Sequence, residues 1–471
     1  LINALFHALI LGAIVALRVI RFGTVLETEH ILSLDKQNIV VIGGGFAGTS
    51  LVKKLEKQLP ANWQITLISQ ENYTTFNPML AEIVGATVMP SHVIAPIRRM
   101  VHRTRFIMGK VTGVDFIAKT VQFQGEEKAD QVPYEHVVFA LGARANLDFI
   151  PGMAQHALPF KLLGDALVLR NRVVERLEAA ELEEDQNRRR WLGHFIVIGG
   201  GFSGIEVAGG IQDFIQSSHQ HYPRLSADDL KVTVIHNSEL PLPELGGGKL
   251  GVHTRDSMRK RGINMLLNCR VTGADASGVL MGDQERVDGG TIICTIGSKP
   301  NPIISTLQAI ELNKGRINVN PDMSAKGVDN VWAIGDCAFV PNANDGNLAP
   351  PTAQFAIREG HQLADNIERV VKKQKTQPFN YQSKGAMATV GHLNGVADLG
   401  FIKLSGFPAW LLWRGFYLSL MPTFAKKTKI FFEWTWSMLF SADTVNLRFT
   451  TSQNADKNYS DISKSDIHKD I

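Results

Sequence analysis

The chain has 471 residues, 44% of them hydrophobic, and a formal net charge of +4, enough for about three domains of roughly 150 residues each, with a buried core. A charge this small gives no case for nucleic acid as a partner. The three cysteines, Cys269, Cys294 and Cys337, share no close spacing, which argues against a disulfide framework, a zinc or other metal site and a Cys-x-x-Cys redox pair, and fits a reducing compartment.

Residues 1–20 are apolar apart from Asn3, His7 and Arg18. A run of about 20 apolar residues is long enough to cross a bilayer. Arg18 and Arg21 at its C-terminal end would keep the next domain on the cytoplasmic side. No basic stretch precedes the run and no small-residue cleavage site is evident, so the segment reads as a candidate anchor rather than a cleaved signal.

The first strand–turn–helix runs over residues 38–59. An apolar strand, Asn38-Ile39-Val40-Val41-Ile42, breaks at Gly43-Gly44-Gly45-Phe46-Ala47-Gly48. In this pattern Gly43 permits the tight turn, Gly45 lets backbone approach a pyrophosphate, and Gly48 lets the helix pack on the strand. The helix N-terminus then offers free N–H groups and its positive dipole end to the phosphates. A second strand comes next, at 64–68. Glu71, shortly after it, is the candidate acid for ribose hydroxyls, with a solvated loop glutamate as the alternative; the strand end itself is Ser69.

One further strand is predicted before the second turn, His136–Ala140, closed by Leu141-Gly142. A charge-rich helical stretch spans 165–190. The second turn is Gly199-Gly200-Gly201-Phe202-Ser203-Gly204 after the apolar strand His194–Ile198. Gly199, Gly201 and Gly204 repeat the three glycine roles. One such turn is weak evidence; two, each after an apolar strand, point to a chain holding two dinucleotides. The ribose strand of this unit, Lys231–Ile235, ends at His236, where an acid would favour NADH by repelling a 2′-phosphate; histidine decides neither way. Glu206, two residues past the last glycine, reads either as a contact on the nicotinamide side or as a cap for the first helical turn.

A strand at 291–295 ends at Ile296-Gly297 and mirrors the earlier Leu141-Gly142 ending. The strand from Val331 delivers Gly335-Asp336, where a carboxylate suits ribityl hydroxyls and a glycine suits close approach of phosphate. From Ala409 the composition turns aromatic. Residues 409–421 and 424–440 each combine Trp and Phe with, in the second, Lys426, Lys427 and Lys429. Both suit helices lying in a membrane interface, with packing on the domain or a dimer contact as the alternative. The polar tail from Ser452 reads as disordered.

This order of motifs resembles the type II NADH dehydrogenases, the non-proton-pumping NADH:quinone oxidoreductases. Ala353-Gln354-Phe355-Ala356 is similar to that family's Ala-Gln-x-Ala string beside the flavin. Residues 71–80, 386–391 and the Trp-rich 405–413 resemble further family strings, over a span from about Asn38 to Phe449. The resemblance implies an α/β fold with two Rossmann-like dinucleotide-binding domains and a C-terminal amphipathic membrane-binding segment. The divisions expected are an N-terminal apolar segment (1–35), an FAD-binding domain in two parts (36–160 and 305–400), an NADH-binding domain (161–304), membrane-associating helices (401–450) and a polar tail (451–471). FAD would be held by Gly43, Gly45, Gly48, Glu71, Gly335, Asp336 and Ala353, and NADH by Gly199, Gly201, Gly204 and Glu206.

The resemblance further implies hydride transfer from NADH to flavin N5 and two electrons onward to a quinone, on the cytoplasmic face of the cell membrane, peripherally or through an N-terminal helix. It leaves a homodimer open. Gln354 transfers to the flavin–quinone junction. Where the family has a second glutamine, this chain has Arg358, read either as stabilising a reduced quinone or flavin oxyanion or as a structural ion pair with Glu359 or another acid. Competing readings are a sulfide:quinone reductase, which would need a cysteine pair at the flavin, an NAD(P)H enzyme reducing a soluble protein acceptor, and a nucleotide sensor that does not turn over.

Overall fold

A computed structural model describes residues 37–282, 285–421 and 423–447. The candidate anchor at 1–20 and the tail from Ser452 lie outside the described residues. The chain divides into two units, Leu1–Gln37 and Asn38–Ile471, and the second is the one described below.

The strands that build the main sheets are β1 (Gln37–Ile42), β2 (Trp63–Ser69), β3 (Arg105–Met108), β4 (His136–Phe139), β5 (Ala157–Pro159), β6 (His194–Ile198) and β7 (Lys231–Ile235). They continue with β8 (Asn264–Leu266), β9 (Thr291–Cys294), β10 (Val331–Ala333), β11 (Ala386–Thr389), β12 (Gly395–Asp398) and β13 (Lys403–Gly406). The main helices are α1 (Phe46–Gln58), α2 (Leu80–Val84), α3 (Leu163–Leu182), α4 (Phe202–Ser218), α5 (Gly248–Lys260), α6 (Ala353–Val371), α7 (Phe407–Leu420) and α8 (Phe424–Trp436).

Two five-stranded sheets carry the fold, in the orders β10-β4-β1-β2-β3 and β5-β9-β6-β7-β8. In the first, β1 pairs with β4 in parallel, Ile39 opposite His136. In the second, β6 lies between β7 and β9, also in parallel. Ile39–Ile42 and the whole of His194–Ile198 are buried, as expected of parallel strands covered on both faces, whose sequences read as continuous apolar runs. Each sheet therefore places its glycine turn at the C-terminal end of a central strand, where the strand order switches direction and ligands of open α/β sheets bind.

The segment between the glycine turns holds more structure than the strands predicted at 64–68 and His136–Ala140. It contains the antiparallel sheet of Lys110–Asp115, Thr120–Gln124 and Ala129–Pro133, the pair Tyr73–Thr75 with Ile94–Pro96, and β3 and β5. These strands are short, and the antiparallel sheet is polar on its outer side. Their alternation is weaker than the apolar run of a buried parallel strand. The predicted helical stretch at 165–190 is two helices, α3 and Gln186–Leu192. Asp185 ends the continuity by accepting from the Arg188 N–H and capping the second.

Tight crossings bring the parts together. Gly360 of α6 faces α1; a Cβ there would lie 2.6 Å from the Ala47 carbonyl. Gly209 of α4 faces the turn that follows β11, where a Cβ would lie 3.0 Å from the Gly391 nitrogen. The β11–β12–β13 sheet is antiparallel and leads into α7. Trp413 of α7 is buried against Tyr417 and Trp434, with ring centroids 4.8 and 6.1 Å away. Among the described residues no helix is long and apolar enough to cross a membrane.

Candidate functional site

The first glycine turn combines two close backbone contacts with one open position. Gly43 has φ +116°, and a Cβ on it would sit 2.2 Å from the Ala140 carbonyl. Gly48 is pressed on Gly43, so a Cβ would meet the Gly43 oxygen at 2.0 Å. Gly45 differs: its Cβ would point into open space. Gly45 is also the N-cap of α1, and no side chain caps it. The first N–H groups of α1 thus face an open place, which is what a pyrophosphate needs. Ser69, at the end of β2, is buried beside Gly44, and Glu71 is exposed beyond it, with its carboxylate beside the Tyr73 hydroxyl.

The second turn repeats the design. Gly199 has φ +111° and Gly204 packs on it, with a Cβ-to-oxygen distance of 1.9 Å. Gly201 caps α4 without a side-chain partner. Here the space over the turn is narrower, because Glu244 Oε1 would lie 2.5 Å from a Cβ on Gly201.

Gly335 and Asp336 form a short 3-10 turn directly after the β10 segment. Gly335 has φ +74°, a conformation glycine adopts without penalty. Two residues missed in the sequence hold this turn. The Gly335 N–H donates to Glu359 Oε2 at 2.6 Å. Lys161, on the linker into α3, brings Nζ within 3.4 Å of Asp336 Oδ2. Glu359 is buried, and that burial pushes its carboxyl up to about 7, with the Asp336 charge adding to the rise and the Gly335 N–H opposing it.

Glu359 therefore points inward, which removes it as a partner for Arg358. Arg358 is exposed and lies over the Tyr381 ring at 5.3 Å. Gln354, one helical turn earlier on α6, accepts from Ser383 Oγ at 3.2 Å and the Lys384 N–H at 3.3 Å, and donates to the Gly385 carbonyl. Both side chains face the 381–385 segment, as residues four apart on a helix can. Ala353 opens α6, whose N-cap Thr352 accepts from the Phe355 N–H.

Glu206 does not cap its own helix. The first turn of α4 holds no acid, and Glu206 reaches sideways to β11, accepting from the Thr389 N–H at 3.2 Å. Burial pushes its carboxyl up to about 8. The Thr389 N–H and the neighbouring Trp413 indole oppose the rise, and the Glu82 charge adds to it. Glu82, on α2, accepts from Trp434 Nε1 at 3.2 Å and from the Thr87 hydroxyl. The buried Arg414 guanidinium sits between Trp410 and Trp434, 4.0 and 4.7 Å from the ring centroids, and feels the Glu82 charge. An acid that gains a neighbouring acid and loses water holds its proton more tightly. This arrangement thus gives a carboxyl that holds its proton up to about pH 8, beside Trp413 and Tyr417 of α7. Glu82 sits in an otherwise apolar five-residue helix, so its sequence carried no signal.

All three cysteines are free. Cys294 and Cys337 are buried, and burial pushes the Cys337 thiol up to about 12. Among the described residues no His, Cys, Asp and Glu group is placed to hold a metal.

Comparison with known proteins agrees with this geometry. The pyridine nucleotide-disulphide oxidoreductase family model matches residues 37–360, and the NDH2 C-terminal domain model matches residues 383–443. The chain belongs to the type II NADH dehydrogenase family. Among relatives of this family, the type II NADH:quinone oxidoreductase Ndh of Mycobacterium tuberculosis is 28% identical, over 86% of this chain and 88% of its own length. The mitochondrial internal alternative NAD(P)H-ubiquinone oxidoreductase A1 of Solanum tuberosum is 27% identical, over 88% and 90%. In fold, the chain is similar to NDH2 from Plasmodium falciparum in complex with NADH, with a TM-score of 0.81 at 20% identity, over 87% of this chain and all of that one. The sulfide:quinone oxidoreductase of Aquifex aeolicus shares the fold less closely, with a TM-score of 0.65 at 17% identity, over 88% and 96%. Type II NADH dehydrogenases use FAD and NADH, and the two helix N-termini without side-chain caps fit two dinucleotides.

Proposed function

We propose that this chain oxidises NADH through bound FAD and passes two electrons to a membrane quinone without pumping protons. The observation that carries the reading is the pair of glycine turns, each ending a central parallel strand at an uncapped helix, in a unit that continues into the NDH2-type C-terminal domain. Gly43, Gly45 and Gly48 would hold the FAD pyrophosphate, with Glu71 at the ribose end. Gly335 and Asp336 would meet the ribityl chain, and Ala353 would present the start of α6 to the flavin ring. Gly199, Gly201 and Gly204 would hold the NADH pyrophosphate. These assignments place the FAD unit in 36–160 and 305–400 and the NADH unit in 161–304.

FAD supplies the hydride acceptor and two-electron carrier. The chain supplies orientation and charge. Lys161 and Glu359 set the position of the Gly335–Asp336 turn. Glu206, protonated at neutral pH, borders the nicotinamide side and can donate a hydrogen bond to a quinone oxygen there. Gln354 and Arg358 form the second polar wall, Arg358 as a fixed cation for the oxyanion of a reduced quinone. A soluble acceptor would not require the surface that α7 and α8 present. Phe424, Phe431, Phe432 and Trp436 of α8 are more than half exposed, alongside Lys427 and Lys429. Apolar rings mixed with lysines suit the headgroup layer of a membrane, so the enzyme would dock peripherally through these helices, on the cytoplasmic face. A sulfide substrate is disfavoured by two buried, unpaired cysteines.

The test is stopped-flow spectroscopy of the purified FAD-loaded protein. NADH bleaches the flavin, and a short-chain quinone restores it. Gln354→Ala slows the second step by about tenfold or more, since a lost polar contact to the acceptor costs about 1.4 kcal/mol or more at the barrier, and leaves the first nearly unchanged. Equal slowing of both steps refutes the role given to Gln354.

A further inference from the structure

One face of α4 is set against β11 and the turn that follows it. Glu206, Gly209 and Asp213 lie three and then four residues apart on that helix, so they share a face. They meet Thr389, Gly391 and His392 in order. The Thr389 N–H donates to Glu206, a Cβ on Gly209 would crowd the Gly391 nitrogen, and the His392 N–H donates to Asp213 Oδ2 at 2.8 Å. Gly209 sets how closely the two backbones approach, and Asp213 closes the far end of the seam.

Arg261, the C-cap of α5, locks that end. Its guanidinium pairs with Asp213, and Nη1 donates to the His392 carbonyl at 3.4 Å. The two backbone groups of His392 are therefore held by the two members of one ion pair. Arg261 also lies over Gly391, where φ is +94° and a Cβ would meet Cζ at 2.6 Å. Gln216 of α4 donates to the Arg261 carbonyl at 3.1 Å, and His253 of α5 reaches Asn394 Oδ1 at 3.2 Å. The turn is thus gripped from α4 and α5 together. Burial disfavours the Arg261 charge, and a half-buried ion pair gains little net stability once desolvation is counted. Charge-assisted hydrogen bonds to one residue do fix its position.

We infer that Asp213 and Arg261 are positioning residues for Glu206: by holding His392 they fix β11 on α4, keep the Thr389 N–H on the Glu206 carboxyl and keep water from it. The inference rests on the reading of Glu206 as the acid beside the acceptor. The titratable groups facing Glu206 are Glu82 of α2 and Tyr417 of α7. Those around the turn are His253 of α5, His392 itself, and Arg414 of α7 and Glu82, whose charges reach His392. None of these stands in for the Asp213 carboxylate between the His392 N–H and Arg261.

The experiment is a double-mutant cycle on the FAD-loaded protein, read by melting temperature between about pH 5 and pH 9. Glu206→Gln is placed in wild type, Asp213→Ala, Arg261→Met and Arg261→Lys. In wild type the substitution gains as pH rises, because only Glu206 ionises. In D213A and R261M the seam opens and water reaches the carboxyl, so about half or more of that pH-dependent gain should disappear. R261K keeps a cation on Asp213 and should keep the gain. A variant that is merely less stable shifts at every pH alike and leaves the gain intact; that result in D213A and R261M overturns the inference. In stopped flow both should slow flavin reoxidation by a short-chain quinone about tenfold, with bleaching by NADH changed less than about twofold. Unslowed reoxidation in both, where E206Q itself slows it, also overturns the inference. If D213A does not fold, R261M decides. If E206Q leaves reoxidation unchanged, the reading of Glu206 at the acceptor falls instead, and the melting cycle still decides on the clamp.

Discussion

Glu206 and Glu359 are the residues whose chemistry the surroundings change most. Both have carboxyls raised above the ordinary value of 4.5, to about 8 and about 7, chiefly by burial. A raised carboxyl binds its proton on folding, so its stabilising effect is complete below about pH 4.5 and is lost as pH climbs through the folded value. Glu206→Gln, which cannot ionise, should therefore gain on wild type between pH 5 and pH 9. The difference in melting temperature should move in the variant's favour by about 2 °C or more, the equivalent of about 1 kcal/mol. An offset that stays constant with pH would show that Glu206 is not buried as described. Glu359→Ala removes the acceptor of the Gly335 N–H. Leaving that donor unpaired costs about 1–3 kcal/mol, and FAD release, followed by its fluorescence, should quicken by about tenfold or more. Glu359→Gln keeps a carbonyl acceptor and should retain FAD nearly as well as wild type. Neither role was legible in the sequence. Glu206 was visible by its distance from a glycine, but its partners Thr389, Trp413 and Glu82 come from three other elements. Glu359 was visible only as a neighbour of Arg358, and helix geometry turns the two in different directions.

The elements that were legible are those whose pattern is local. A Val- and Ile-rich run broken by glycine specifies a buried parallel strand and the helix after it without reference to anything distant. The antiparallel strands at 110–133 were not legible, because their pairing depends on partners that only the fold supplies. The same holds for the crossing of α4 on β11. Gly209 reads as a poor helix residue, and its reason is the Gly391 backbone in the way of any Cβ. Gly209→Val should force these two apart and destabilise the protein by about 1–3 kcal/mol, measurable by urea denaturation; an unchanged midpoint would mean the crossing is looser than described. The helices α7 and α8 were legible by their aromatic composition, and their exposed rings give a direct test. Replacing Phe424, Phe431 and Phe432 by Ser should release the protein from sedimenting anionic vesicles while flavin bleaching by NADH stays intact. Continued sedimentation would place membrane contact elsewhere.

For the molecule as a whole, the first sheet is assembled from distant stretches. β1 and β4 precede the entire second sheet, and β10 returns after it to complete the row. That return sets Gly335 and Asp336 beside the first glycine turn and places α6 against α1. The surroundings of Glu206 are assembled in the same way: α4 supplies the carboxyl, β11 its hydrogen-bond donor, and α7 the neighbouring Trp413 and Tyr417. In the proposed reading one unit would hold an electron entry at the second glycine turn and an exit bordered by α7 and α8. The central claim is that two electrons pass from one to the other through a flavin. Stopped-flow absorbance near 450 nm tests it most directly (roughly the band expected of a flavin). The expected result is a yellow protein whose band bleaches on mixing with NADH and returns on adding a short-chain quinone. A protein that stays colourless with excess FAD, or whose bleached band is not restored by quinone, would contradict it.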